Sequence, residues 1–129
     1  MIIKTRPDRQ KSNSLIKMAK ITLERLEKTD MEKYPSNTLV DYYDVIHKLM
    51  EALIIRTGIK VKGEGAHQEL IEHIAKQKII DEQTRRFLQQ MRDYRNRIAY
   101  EGFMVNKNYI SLNNARIKNI IRNFLTDLE

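Results

Sequence analysis

The stretch from Met91 to Gly102, MRDYRNRIAYEG, concentrates side chains that can hold a phosphate group. Arg95 carries a guanidinium and the adjacent Asn96 carries an amide, and both groups donate hydrogen bonds to phosphate oxygens. Arg92, Asn96 and Tyr100 follow one another at intervals of four residues, which places them on one row of a helix. Such a strip suits the phosphate backbone of a nucleic acid, and it is equally typical of a solvated helix face.

Most other catalytic and binding chemistries find no support in the sequence. The chain has no cysteine, which excludes disulfides, zinc fingers and thiol nucleophiles. The histidines, His47, His67 and His73, complete no three-ligand metal pattern, so we predict no metal site. His67 is expected near the start of a helix as a hydrogen-bonding residue. No serine lies in a nucleophile elbow, and the GEG tripeptide at 63–65 lacks the Gly-Lys-Ser/Thr that completes a phosphate-binding loop, so we predict no cofactor.

The charge balance favours a polyanionic partner. Lysine and arginine number 24 against 17 acidic residues, which gives a net charge of +7. RNA, DNA or an acidic protein would match this bias. Arg85, Arg86 and Arg92 lie in the most arginine-dense stretch of the chain, and we predict that they bind nucleic acid. Because no run approaches the roughly 18 apolar residues of a membrane span and the start lacks a secretory apolar region, we expect a cytoplasmic protein with no membrane partner.

The spacing of apolar residues predicts an all-α fold. The 129 residues suffice for one domain, and we divide them into a flexible basic arm, residues 1–11, and one helical domain, residues 12–129. The predicted elements are a helix from Ser12 or Ser14 to Thr29–Asp30, a helix from Pro35–Ser36 to Gly58, a connector over 59–66, a short helix from His67 to about Lys76, a helix from Asp81–Glu82 to Gly102, an extended or turn segment FMVNKNYI, and a helix from about Ser111. No strand-rich section is present, so the architecture is an antiparallel bundle of four long helices plus one short helix.

The second predicted helix is apolar on two sides. One row follows Leu39, Tyr43 and Ile46, and a second side carries Val45 and Leu49. A surface helix of a monomer needs only one apolar side, so this helix is either central or covered by a second subunit. The excess of apolar surface favours a dimer.

The Met91–Gly102 stretch closely resembles the signature helix of HEPN-domain proteins (higher eukaryotes and prokaryotes nucleotide-binding). The family pattern is an arginine, a polar residue, a few variable positions and a histidine. Arg95 and Asn96 match its beginning, and Tyr100 stands where the histidine is expected. Upstream, the segment YYDVIHKLMEALIIRTGIKVKGEGAHQELIEHI resembles the second and third helices of the family with their glycine-containing connector. The resemblance covers residues 12–128.

This resemblance implies a helical bundle that forms a homodimer, with the motif helices of the two subunits facing each other across a shared cleft. Helix geometry agrees with a composite site. Five residues at about 100° each place Arg95 and Tyr100 about 140° apart, so one straight helix cannot present both on one face, whereas two helices can.

Many members of the family are metal-independent ribonucleases, in which the histidine moves a proton while the arginine stabilises charge at phosphorus. A tyrosine with an ordinary pKa of about 10 is a poor general base at neutral pH. Tyr100 is left with three roles: donation of a hydrogen bond to phosphate, acceptance of a covalent nucleotide from a nucleotidyltransferase, or packing.

Three functional hypotheses follow. The first is a dimeric HEPN-like module that pairs with a nucleotidyltransferase in a toxin–antitoxin-type system and binds RNA or a nucleotide at the motif-helix cleft. The alternative is a metal-independent endoribonuclease in which Arg95, Asn96 and Tyr100 are catalytic across the dimer. The third is a structural helical bundle whose charge serves solubility.

Overall fold

A computed structural model describes the whole chain, Met1–Glu129. Its elements are β1 (Ile2–Lys4), α1 (Arg9–Glu27), α2 (Pro35–Ile55), β2 (Ile59–Val61), α3 (Ala66–Lys76), α4 (Glu82–Glu101) and α5 (Lys107–Leu128). The all-α fold class is confirmed: four helices of 19 to 22 residues and one of 11 residues form the bundle. None of these helices is long and apolar enough to cross a membrane.

Helix α2 is the centre of the bundle and packs against the other four helices. Eleven of its 21 residues are buried. Val45 and Leu49, on the second apolar side, have no exposed surface. Other helices of the same chain therefore bury the second apolar side of α2, and this side does not indicate a second subunit.

The N-terminal residues differ from the arm predicted over 1–11. Strand β1 pairs antiparallel with β2, with Ile3 opposite Lys60, and α1 begins at Arg9. The Asp8 side chain caps α1 by accepting a hydrogen bond of 2.8 Å from the Lys11 backbone N–H. The predicted connector over 59–66 correspondingly contains β2. Strands of three residues are too short to show a period, which is why the sequence pattern did not indicate them.

The boundaries of α4 agree with the prediction. Asp81 accepts a hydrogen bond of 2.8 Å from the Thr84 backbone N–H, and Gly102 ends the helix with φ of +70°. Helix α5 begins at Lys107, four residues before the predicted Ser111. Its earlier start has a local cause, because the Asn106 side chain caps the helix by accepting from the Asn108 N–H.

The backbone at Gly58 connects the start of the chain to the end of α2. Its φ of +79° is favourable only for glycine, and its carbonyl oxygen accepts a hydrogen bond of 2.7 Å from the Thr5 N–H. A side chain added at Gly58 would meet the Thr5 carbonyl oxygen, whereas one added at Gly63, where φ is +90°, meets open space.

We therefore expect Gly58→Ala to lower the free energy of unfolding by about 3 kcal/mol or more, since it adds a backbone clash to the cost of a positive φ. Gly63→Ala, the matched control, carries only the cost of the positive φ, about 1 kcal/mol. Urea denaturation of both variants measures the difference. Equal losses would show that the contact between Gly58 and Thr5 does not constrain the fold.

Candidate functional site

The arginines in the first half of α4 are neutralised by carboxylates. Arg85 forms ion pairs with Glu82 at 2.6 Å and with Glu72 of α3 at 3.1 Å. Arg86 lies 3.0 Å from Glu82. Hydrogen bonds from Arg85, and then from Arg86, lower the pKa of Glu82 to about 2, so that this carboxylate stays charged. Two of the three guanidiniums predicted to bind nucleic acid, those of Arg85 and Arg86, thus already have acidic partners.

Two arginines further along α4 have no carboxylate partner. Arg92 donates from Nε to the Gln89 side-chain oxygen at 2.8 Å, and Arg95 donates from Nη1 to the Asn96 side-chain oxygen at 3.3 Å. Both arginines are half-buried, and neither forms an ion pair. Their charges therefore remain available to an anion at the surface.

Tyr100 lies apart from these arginines within one chain. Its side chain is 79% exposed and forms no hydrogen bond. The structure therefore brings Arg95 and Asn96 together but does not add Tyr100 to them. The predicted sharing of Arg95 and Tyr100 between two copies of the chain stays a prediction.

Three aromatic rings form a cluster that the motif did not indicate. His47 of α2 and His67 of α3 are stacked with their centroids 3.9 Å apart, and Tyr43 of α2 stacks 5.8 Å from His67. The Tyr43 hydroxyl oxygen lies 3.3 Å from Nδ1 of His67, which confirms the hydrogen-bonding role expected of that histidine. On the other side, Nε2 of His47 lies 3.1 Å from the Glu51 carboxylate. We call Tyr43, His47 and His67 the aromatic cluster.

The aromatic cluster lies close to the free arginines. Burial raises the pKa of Tyr43, and the charges of Arg92 and Arg95 act in the opposite direction. Burial, followed by the charges of His47 and Arg95, lowers the pKa of His67 to about 4. His67 is therefore neutral at physiological pH, and with this low pKa it is a weak base.

The sequence does indicate the two members of this cluster that lie on α2, together with the neighbouring Glu51. Tyr43, His47 and Glu51 are spaced four residues apart on α2, which places their side chains on one row. The contribution of His67 depends on how α3 packs against α2, and no local spacing predicts that.

The arrangement can hold an anion and exchange a proton. Two unpaired guanidiniums can donate several hydrogen bonds to a phosphate group, and the nearby neutral imidazole is a weak base whose pKa a bound phosphate would raise. No group of three histidine, aspartate or glutamate side chains lies close enough together to hold a metal ion.

Comparison with known proteins identifies no relative: no family model, curated protein or solved structure matches the chain. The HEPN resemblance of the motif helix therefore stays a prediction from the sequence.

The low pKa of His67 makes the stability of the protein depend on pH. An unfolded histidine has a pKa of about 6.5, so between about pH 4 and 6.5 the unfolded chain binds a proton that the folded chain does not. We expect the contribution of His67 to the free energy of unfolding to be complete above about pH 6.5 and to fall as the pH is lowered.

Urea denaturation between about pH 5 and 7, where most carboxylates remain charged, measures this dependence. As the pH is lowered over this range, the free energy of unfolding of the His67→Gln variant should fall less steeply than that of the wild type. Parallel curves for the two proteins would exclude His67 as the source.

Proposed function

We propose that this protein is a HEPN-like helical module that binds the phosphate groups of RNA or of a nucleotide through Arg92, Arg95 and Asn96 on α4. One observation carries the proposal. Of the arginines on this helix, Arg92 and Arg95 alone lack an acidic partner, whereas Arg85, Arg86 and Arg97 each have one.

The physical basis is charge compensation. A guanidinium that already pairs with a carboxylate has to break that pair to bind phosphate, while an unpaired one does not. Half-burial also holds Arg92 and Arg95 in place, so less side-chain entropy is lost when an anion binds. The net charge of +7 adds a long-range attraction for polyanions.

The proposal includes two partners that follow from the HEPN resemblance: a second copy of the chain and a nucleotidyltransferase in a toxin–antitoxin-type system in the cytoplasm. Exposed apolar side chains at the end of α4, in the segment that follows it and in α5 support the homodimer, namely Tyr100, Met104 and Leu112, which are 79%, 80% and 82% exposed. The free Tyr100 hydroxyl also supports the role of nucleotide acceptor for such a transferase.

Alanine variants at the two kinds of arginine test the binding proposal. We expect Arg92→Ala and Arg95→Ala each to weaken binding of a short labelled single-stranded RNA about tenfold, since each removes a charge-assisted contact to phosphate. Arg86→Ala removes the same charge from the same helix but a paired one, and should change the affinity less than about twofold. Fluorescence anisotropy at low and moderate salt measures all three.

Circular dichroism establishes that the variants are folded, and sedimentation equilibrium reports whether the dimer forms. An equal loss of affinity in all three variants would indicate attraction by net charge only and would contradict a site at Arg92 and Arg95. The third hypothesis, a purely structural bundle, would then be favoured.

The endoribonuclease alternative is favoured by a separate observation. The motif has Tyr100 in place of histidine, yet His67 supplies a neutral imidazole near Arg92 and Arg95. In metal-independent cleavage, a base removes the proton of the ribose 2′-hydroxyl, the 2′-oxygen attacks phosphorus, and the bond to the 5′-oxygen breaks as that oxygen receives a proton. The free guanidiniums would stabilise the charge that develops on phosphate. His67, or Tyr100 of a second copy of the chain, would accept the proton of the 2′-hydroxyl or donate one to the 5′-oxygen.

Under this alternative, Arg95→Ala should slow cleavage of labelled RNA, in the presence of a chelator, about 100-fold or more. A similar loss in His67→Gln with activity retained in Tyr100→Phe would assign the proton transfer to His67, and the reverse result would assign it to Tyr100. Gel electrophoresis of the products measures the rates. If the wild-type protein does not cleave RNA at all, the alternative is wrong and the binding function remains.

A further inference from the structure

A cavity of about 400 Å³ lies between α1, α2, β2 and the start of α3. It is separate from the free arginines of α4, which do not line it. His47 and His67 of the aromatic cluster form part of its wall. The volume falls within the range of small-molecule sites, about 300–1,000 Å³.

The apolar part of the lining is aliphatic. It is formed by side chains from all four elements, including Leu15, Ile54, Ile59 and Leu70. No phenylalanine, tyrosine or tryptophan lines the cavity, and the two histidine rings are stacked on each other. The lining therefore suits an aliphatic body better than a nucleobase, which favours a free aromatic face.

Three lysines line the same cavity: Lys11, Lys60 and Lys62. None of them forms an ion pair, and Glu51, which lies beside His47, is the only carboxylate in the lining. Lys60 lies in β2 and Lys62 directly follows it; the two are two residues apart, and the Lys62 N–H still bonds the Met1 carbonyl, so the extended backbone directs both to one face. The charge of Lys62, followed by burial and the charge of Lys11, lowers the pKa of Lys60. The fold thus holds three lysine charges around a cavity that contains a single carboxylate, which leaves an excess of positive charge there.

A polar atom in the wall also lacks a partner. Nε2 of His47 lies 3.1 Å from Glu51, but Nδ1 of His47 is buried and forms no hydrogen bond. Buried polar groups without a partner are rare, and an ordered water, an ion or a ligand group can supply the missing hydrogen bond.

We propose that this cavity binds a small amphiphilic anion, with a phosphate monoester or carboxylate head between Lys11, Lys60 and Lys62 and an aliphatic body against Leu15, Ile54 and Leu70. The lysines supply the charge that the head requires. The aliphatic lining gains free energy when it is removed from water by the body of the ligand. This site does not depend on the RNA-binding function proposed for α4.

Isothermal titration calorimetry with octyl phosphate and octanoate, both below their micellar concentrations, tests the proposal. We expect one molecule to bind per chain, and at least one of the two probes to bind more tightly than inorganic phosphate, which has the head alone, and than adenosine monophosphate, which has a flat body. Preference between the two probes identifies the head group.

The double variant Lys60→Gln/Lys62→Gln should weaken binding of the preferred probe about tenfold or more, since it removes two charge-assisted contacts. Lys20→Gln, an exposed lysine of α1 outside the cavity, is the matched control and should leave the affinity unchanged. Leu15→Ala tests the aliphatic wall: it should weaken binding of the preferred octyl probe and leave the affinity for inorganic phosphate, which has no chain, unchanged.

Three results would overturn the proposal: no saturable binding of either octyl probe, tighter binding of adenosine monophosphate than of both octyl probes, or an equal loss of affinity in Lys20→Gln. All three results can be measured on folded protein. The substituted lysines lie at the surface and form no ion pair, so we expect the variants to fold.

Discussion

Burial of most of the surface of α2 is the constraint on which the rest of the structure depends. With more than half of its residues buried, this helix provides the surface on which α1, α3, α4 and α5 pack. The row of Tyr43, His47 and Glu51 on α2 lies against His67 of α3, and His47 and Glu51 also line the cavity beside α1 and β2. The rigidity of the central helix thus fixes the aromatic cluster, and α3 brings His67 to it. Both candidate sites are built against this one element.

The charges of the protein are distributed unevenly around this centre. Acidic residues compensate the arginines at the beginning of α4, while Arg92 and Arg95 are left with amide partners. The three lysines of the cavity form no ion pair and outnumber its one carboxylate, Glu51. A folded protein loses stability when like charges are held together without counter-charges, so such clusters are more readily explained by an anionic ligand than by folding.

Most of the helical fold could be predicted from the sequence, because amphipathic periods and caps are local signals. Asp81 and Gly102 marked the ends of α4 in this way. The strand at Ile2–Lys4 could not be predicted, since its pairing partner is remote in the chain. The grouping of Arg85 and Arg86 with Arg92 overlooked a local signal, because Glu82 lies three and four residues before the first two. The approach of His67 to the free arginines and the cavity between four elements arise only from tertiary packing.

The position of His67 joins the two sites physically. Its imidazole lies in the wall of the lysine-lined cavity and is also within the field of Arg92 and Arg95. Burial and these positive charges keep it neutral. An anion bound on either side would offset the positive field and raise the proton affinity of His67, and by linkage a protonated His67 would bind that anion more tightly. Binding of an RNA phosphodiester, whose charge does not change in this pH range, should therefore strengthen at the α4 site as the pH falls toward the pKa of His67, down to the point at which protonation begins to destabilise the fold; anisotropy titrations between about pH 7 and 5 measure this.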